Sequence, residues 1–327
     1  MRHRHAHWKA LRQVGEYQAA RLGLAVMKLA GPETACRLAG GLAALGFLIL
    51  GKRRRVAIDN LLQSGVAATP REARRLARAS FRHLGCVIAE SFFAPRLLAS
   101  EAGGQAVELD IPPATRKIIG EPGRGVILVS GHLGNWEFGA QVLARYKPLT
   151  GIARAMDNPR IQQLMERSRM RGDFETIDKH MARPMDLVRV LRRGRVLALL
   201  TDQHASAGGI VVSFFGRPAA TYTTPAVLHR LTRAPMVFGS PVRLGTLRYR
   251  FVLSEPLDYP FTDDREADIR AITQDLASRL EAAVRQHPGQ YLWAHRRWKV
   301  GAGAGQSGGD AEFSGSGSPK ANSNGSA

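Results

Sequence analysis

The segment Gly131-His132-Leu133-Gly134-Asn135-Trp136-Glu137 sets an imidazole five positions ahead of a carboxylate. Histidine titrates near neutrality, so His132 is suited to take a proton from an attacking hydroxyl and return it to a leaving thiolate. A carboxylate within reach fixes the ring's tautomer and stabilises the imidazolium, and the spacing assigns that part to Glu137. Gly131 and Gly134 allow backbone to approach a substrate closely. Ser130 lies in Val-Ser-Gly-His, outside any G-x-S-x-G elbow, so direct attack assisted by His132 is expected without a covalent enzyme intermediate.

The elements around this segment explain why it is a plausible site. Residues 125–130 (GVILVS) form a short, β-branched apolar run that predicts a buried strand, with a helix over 135–146 after it. His132 then falls just past a strand's carboxyl end, where α/β sheets bind ligands. The alternation continues with strands over 149–154, 174–178, 195–201, 236–242 and 248–253. Helices are expected over 159–171, 183–193, 222–232 and 264–286. This order predicts an α/β sheet covered on both faces. The first hundred residues read as helical, with Thr69-Pro70 capping a helix that runs to residue 98. From residue 301 the Gly/Ser-rich sequence predicts a disordered tail. The division is therefore 1–65 for an N-terminal helical region, 66–300 for the α/β domain and 301–327 for the tail.

Charge and hydropathy narrow the partners. The chain carries 47 Lys plus Arg against 27 Asp plus Glu, a net charge of +20. Such a surface attracts polyanions: nucleic acid, anionic lipid or an acidic protein. No zinc finger, RNP motif or other nucleic-acid module is present, so nucleic acid is not expected. Residues 38–51 (LAGGLAALGFLILG) are apolar and uncharged, bracketed by Arg37 and by Lys52-Arg53-Arg54-Arg55. The run is shorter than the roughly 20 residues that span a bilayer, and its basic flank suits anionic headgroups. It is read as an interfacial or partly inserted anchor, the alternative being a buried core helix. Cys36 and Cys86 are too few for a disulfide framework. His132, Glu137, Asp202 and His204 carry metal-ligating atoms, but in no compact ligand spacing, so no metal or other cofactor is expected and a metal-dependent hydrolase is the lesser enzymatic reading. A basic lipid-binding protein without catalysis is the non-enzymatic one.

These residues also resemble a family. His132 to Glu137 resembles the H-x4-[DE] motif of the lipid A late acyltransferases, which include phosphatidylinositol mannoside acyltransferases. In the family's order follow Gly151-Ile152-Ala153-Arg154 with Asn158-Pro159, Thr201-Asp202-Gln203, Phe214-Phe215-Gly216-Arg217-Pro218, Thr224-Pro225-Ala226 and YLWAHRRWK over 291–299. KRRRVAIDNL matches a basic stretch running into Asn-Leu. The resemblance covers roughly residues 10–300, and His204 departs from the Asp-Gln-Asp common in lipid A enzymes.

The resemblance implies an α/β mixed sheet flanked by helices, of glycerolipid-acyltransferase type, with a membrane-associated helical N-terminus. It implies transfer of a fatty acyl chain from acyl carrier protein or coenzyme A to a hydroxyl of a lipid A precursor or related glycolipid, with a lysolipid acceptor as alternative. The place implied is the cytoplasmic face of a bacterial inner membrane. Arg154 is expected to bind phosphate or support developing negative charge. Asn135 is expected to donate to the thioester oxygen or to cap its helix. Asp202 is expected to orient Arg154 or the acceptor, and Arg296 and Arg297 to meet lipid phosphates. An apolar groove leading to His132 is expected to hold the acyl chain.

Overall fold

A computed structural model describes residues 2–100, 106–169, 173–206 and 209–299. The tail expected from residue 301 lies outside the described residues. Three helices come first: α1 (Arg2–Ile49), α2 (Gly51–Gln63) and α3 (Pro70–Leu98). Then follow β1 (Val107–Asp110), α4 (Pro113–Gly120), β2 (Val126–Ser130), α5 (Trp136–Ala144), β3 (Leu149–Ala153), α6 (Pro159–Arg169) and β4 (Phe174–Asp178). The second half holds α7 (Pro184–Arg192), β5 (Val196–Leu200), β6 (Gly209–Phe214), β7 (Arg217–Tyr222), α8 (Thr224–Thr232), β8 (Met236–Gly245), β9 (Arg248–Leu253) and α9 (Arg265–Gln286).

Seven strands form one sheet in the order β1-β9-β8-β2-β5-β3-β4. All neighbours are parallel except β8 and β9, so the sheet is mixed, as expected. β2 lies at its centre and all five of its residues are buried. Period-two alternation divides them: Ile127 and Val129 join the core under α7, α8 and α9, while Val126 and Leu128 join the one under α5. A strand buried on both faces reads as the continuous apolar run seen in the sequence.

Register then does the positioning. β2 and β5 pair in parallel with Ser130 opposite Leu200, and Thr201 donates its N–H to the Ser130 carbonyl at 3.1 Å. His132 and Asp202 each stand two residues beyond that pair, so the ladder brings them to one place.

Strands β6 and β7 form a separate antiparallel hairpin, which the helix–strand alternation does not predict. Its turn is Phe215-Gly216, both with positive φ (54° and 68°), as a two-residue hairpin turn of right-handed twist requires. The Phe-Phe-Gly-Arg-Pro segment is thus this turn and its flanks. Phe215 N–H donates to Glu281 of α9 at 2.5 Å, fixing the hairpin on that helix.

In the helical layer, Thr69 caps α3 by accepting from Glu72 N–H at 3.2 Å, with Pro70 at the first turn. α1 breaks at Gly31-Pro32, where Gly31 has φ 77°. Beyond the break it packs on α3 through Ala35, Cys36, Cys86 and Ala89. Its outer face stays bare: Leu38, Leu42, Leu45 and Ile49 are 49%, 70%, 51% and 72% exposed, at the spacing of one helical stripe. The buried-core-helix alternative for residues 38–51 therefore holds for only one side of the helix. Among the described residues no single helix is long and apolar enough to cross a membrane; α1 and α2, bent by 92°, meet that test only together.

Candidate active site

His132 Nδ1 donates to Asp202 Oδ1 at 2.7 Å, and the His132 backbone N–H donates to Oδ2 of the same carboxylate at 2.8 Å. Because a carboxylate only accepts, Nδ1 carries a proton, and in the neutral ring the lone pair is then on Nε2. The side chains are 16% and 3% exposed, so the acid is sealed and the imidazole is partly accessible. Burial pushes the Asp202 carboxyl up, but the His132 charge, the two bonds from His132 and the nearby Arg297 outweigh it and hold the group below the usual carboxylate range. The ring of Trp136 meets His132 edge-on at 4.9 Å.

Small residues permit this closeness. A Cβ on Gly131 would stand 2.6 Å from Leu280 and 3.3 Å from Asp202 Cγ. A Cβ on Gly134, whose φ is 62°, would fall 1.8 Å from the Pro241 carbonyl oxygen. The loop between them is held on its far side by Leu292 N–H, which donates to the His132 carbonyl at 3.1 Å, and by a Leu133–Tyr291 bridge.

The expected site residues divide by surroundings. The tautomer-fixing bond, which spacing assigned to Glu137, is made by Asp202; Glu137 is buried on the first turn of α5. Asn135 caps that helix, its Oδ1 accepting from Phe138 N–H at 3.0 Å. Its Nδ2 donates to the Tyr249 hydroxyl, also at 3.0 Å, so in this state the amide faces the interior. Arg154 follows β3, two strands from β2, and pairs with Asp157 at 2.8 Å on the surface, so Asp202 orients His132 and not Arg154. Arg296 is exposed. Arg297 is buried against the hairpin, stacked 5.3 Å from Phe214 and bonded to Thr221 at 2.5 Å. That corrects its expected role on a lipid phosphate: the guanidinium holds the hairpin and lends its charge to Asp202.

Several residues near His132 Nε2 were not singled out from the sequence. Gln203 Nε2 is 3.5 Å from His132 Nε2, a long contact that sets an amide beside the lone pair. His295 Nε2 accepts from His204 N–H at 3.2 Å, and burial depresses its pKa to about 4, so it is neutral near neutral pH. Tyr291 is buried beside Asp202, and that burial and charge keep its hydroxyl protonated. Gln203 and His295 stand inside the D-Q and W-x-H-R-R segments, which was the available signal. Two other matching segments act as clasps. Asn60 donates to the Trp293 and His295 carbonyls, both at 2.8 Å, tying α2 to the closing segment. Asn158 donates to the Gln13 carbonyl at 2.8 Å, tying the start of α6 to α1.

No group of three His, Cys, Asp or Glu side chains among the described residues is arranged to hold a metal ion. An open cavity of about 660 Å³ lies between the β6–β7 hairpin and α9, lined by Val211, Val212, Pro218 and Ala271 with Arg217 and Arg270. His132 is not among its lining residues, so it is not the groove expected to lead there.

A sequence model of the family described as bacterial lipid A biosynthesis acyltransferase matches residues 1–300. The chain belongs to that family. Within it, the chain is 26% identical over 273 residues to the lipid A biosynthesis lauroyltransferase of Escherichia coli, covering 81% of this chain and 85% of that one. It is 30% identical over 181 residues to the lipid A biosynthesis palmitoleoyltransferase of the same organism, covering 54% and 56%. It is 26% identical over 227 residues to the phosphatidylinositol mannoside acyltransferase of Mycolicibacterium smegmatis, covering 68% and 72%.

Proposed function

We propose that this lipid A acyltransferase-family protein transfers a fatty acyl chain from a thioester, on acyl carrier protein or coenzyme A, to a hydroxyl of a lipid A precursor or related glycolipid. The observation that carries the reading is the His132–Asp202 pair, which leaves Nε2 as an accessible base at the sheet's carboxyl edge. The acceptor oxygen attacks the thioester carbonyl carbon while its proton passes to Nε2. The tetrahedral intermediate then collapses, the C–S bond breaks, and Nε2–H returns the proton to the thiolate sulfur. Asp202 stays ionised throughout, keeping the proton on Nδ1 and stabilising the imidazolium. Glu137 is the second carboxylate partner, adding charge stabilisation from the first turn of α5. Acid–base assistance of this kind supplies about 10²–10⁴ in rate. Arg154 and Arg296, exposed and cationic, contact anionic groups of donor or acceptor.

The work is done at the cytoplasmic face of a bacterial inner membrane. The bare Leu38-Leu42-Leu45-Ile49 stripe enters the interface, and Arg37 with Lys52 to Arg55 meets anionic headgroups. The acyl tail gains about 0.8 kcal/mol per buried CH₂ once it leaves water.

The test is transfer by membranes containing the full chain. Acyl carrier protein and coenzyme A thioesters are offered with a panel of glycolipid and lysophospholipid acceptors, wild type beside His132→Ala. Transfer to a glycolipid that vanishes in the variant, with folding intact, is expected. Transfer that survives in the variant would overturn the assignment of His132, and transfer confined to lysophospholipid would overturn the acceptor class.

A further inference from the structure

Away from the reacting atoms, α3 carries a carboxylate that the proposed chemistry does not use. Glu90 is fully buried, yet it collects donors from four separate elements. Arg243 of β8 donates from Nε at 2.9 and 3.0 Å and pairs from Nη2 at 2.8 Å. Leu247 N–H, in the β8–β9 turn, donates at 3.1 Å, and the Cys36 thiol of α1 at 3.2 Å. The Tyr249 hydroxyl of β9 donates to Oε2. A buried charge is tolerated only when so completely answered.

The last of these donors leads to the active site. Burial and the Glu90 charge keep the Tyr249 hydroxyl protonated, so it donates to Glu90 and accepts from Asn135 Nδ2 at 3.0 Å. Asn135 in turn caps α5, and its backbone N–H is tied to the Pro241 carbonyl at 2.9 Å. The same helix grips the loop a second time: His83 Nε2 donates to the Gly134 carbonyl at 3.0 Å. The stretch between His132 and Glu137 is thereby hung from α3, the helix on which α1 packs.

We propose that Glu90 and Tyr249 are positioning residues for acyl transfer, holding the His132 loop in register through the relay Glu90–Tyr249–Asn135. This rests on the proposed activity for its kinetic part, though the tether itself does not. A general base must lie within hydrogen-bond reach, about 2.6–3.2 Å, of the atom that gives up the proton, and about 1 Å of misplacement costs roughly 10²-fold in rate. Tyr249 also stacks on Phe138 at 4.1 Å, so removing only its hydroxyl leaves the ring packing in place.

The experiment compares wild type and Tyr249→Phe as full-length, membrane-reconstituted protein, with Glu90→Gln as the second variant. Hydrogen exchange over residues 131–139 reads the tether without any substrate; it is expected to quicken about tenfold while β5 stays protected. Kinetics on the same samples should show kcat per folded molecule down about tenfold with both KM values within about twofold, the signature of lost transition-state geometry. In the Asn135→Ala background, Tyr249→Phe should add almost nothing, because the relay is already cut. Unchanged exchange in 131–139, or losses that multiply with Asn135→Ala, would overturn the relay. Loosened exchange with kcat unchanged would overturn the positioning role. A wild type without transfer activity but with the loosened loop in Tyr249→Phe would leave the tether standing and overturn the acyl-transfer reading instead.

Discussion

Asp202 and Glu90 are both buried carboxylates with nitrogen partners, yet they are built for opposite ends. Asp202 answers a histidine, whose side chain stays 16% exposed. Glu90 answers a permanent guanidinium and has every oxygen occupied, with no exposure at all. The first arrangement retains a group able to take up a proton. The second has none to spare and serves only to hold chain together. Both oxygens of each carboxylate are occupied, so the partner separates the two pairs: a partly exposed imidazole at Asp202, a guanidinium at Glu90.

The comparison can be broken at either end. His132→Ala should lower transfer about 10²–10⁴-fold while leaving the melting temperature within a few degrees, checked by donor turnover beside thermal unfolding. Glu90→Ala should do the reverse in emphasis, costing about 3–5 kcal/mol of stability by leaving Arg243 buried without its counter-charge. Denaturant melts of the two variants side by side would decide whether the carboxylates differ as described. Equal stability losses would erase the distinction.

A third test uses pH. His295 is held neutral in the fold, with a pKa of about 4 against an ordinary value of 6.5. Unfolded chain therefore binds more protons than folded chain between those values, so this residue's stabilisation is complete above 6.5 and falls away towards pH 4. The lowered Asp202 carboxyl acts in the same sense further down, its contribution being lost as acid protonates it. His295→Gln should flatten the stability slope between pH 6.5 and 4, as read by unfolding at a series of pH values. A smaller effect still is expected on the outer surface. Leu42→Glu and Leu45→Glu should leave stability within about 0.5 kcal/mol, since both side chains are already exposed. They should nevertheless weaken binding to anionic vesicles in a flotation assay.

Much of the fold was legible because its strands are short, apolar and bounded by breakers. GVILVS and RVLALLT are strands as read, and both lie at the centre of the sheet. The hairpin of β6 and β7 was not, because Arg217-Pro218-Ala219-Ala220 has no alternation to announce a strand; its Phe-Gly turn was the visible cue. At the site, His132 could be read from its place after a strand. Its bond to Asp202 could not, since the two are 70 positions apart and meet only through the β2–β5 register. Proximity in sequence drew the tautomer-fixing role to Glu137 for want of that register. Arg297 was misjudged for the same kind of reason: a basic run looks solvated until the hairpin that covers one of its members is known.

The most direct test of the central claim is the single-turnover rate of acyl transfer for Asp202→Asn beside Glu137→Gln, with thioester donor and glycolipid acceptor at saturation. If Asp202 sets the tautomer that frees Nε2, Asp202→Asn should fall about 10²–10⁴-fold, close to His132→Ala, and Glu137→Gln should fall less. Wild-type rate in a folded Asp202→Asn would contradict the account.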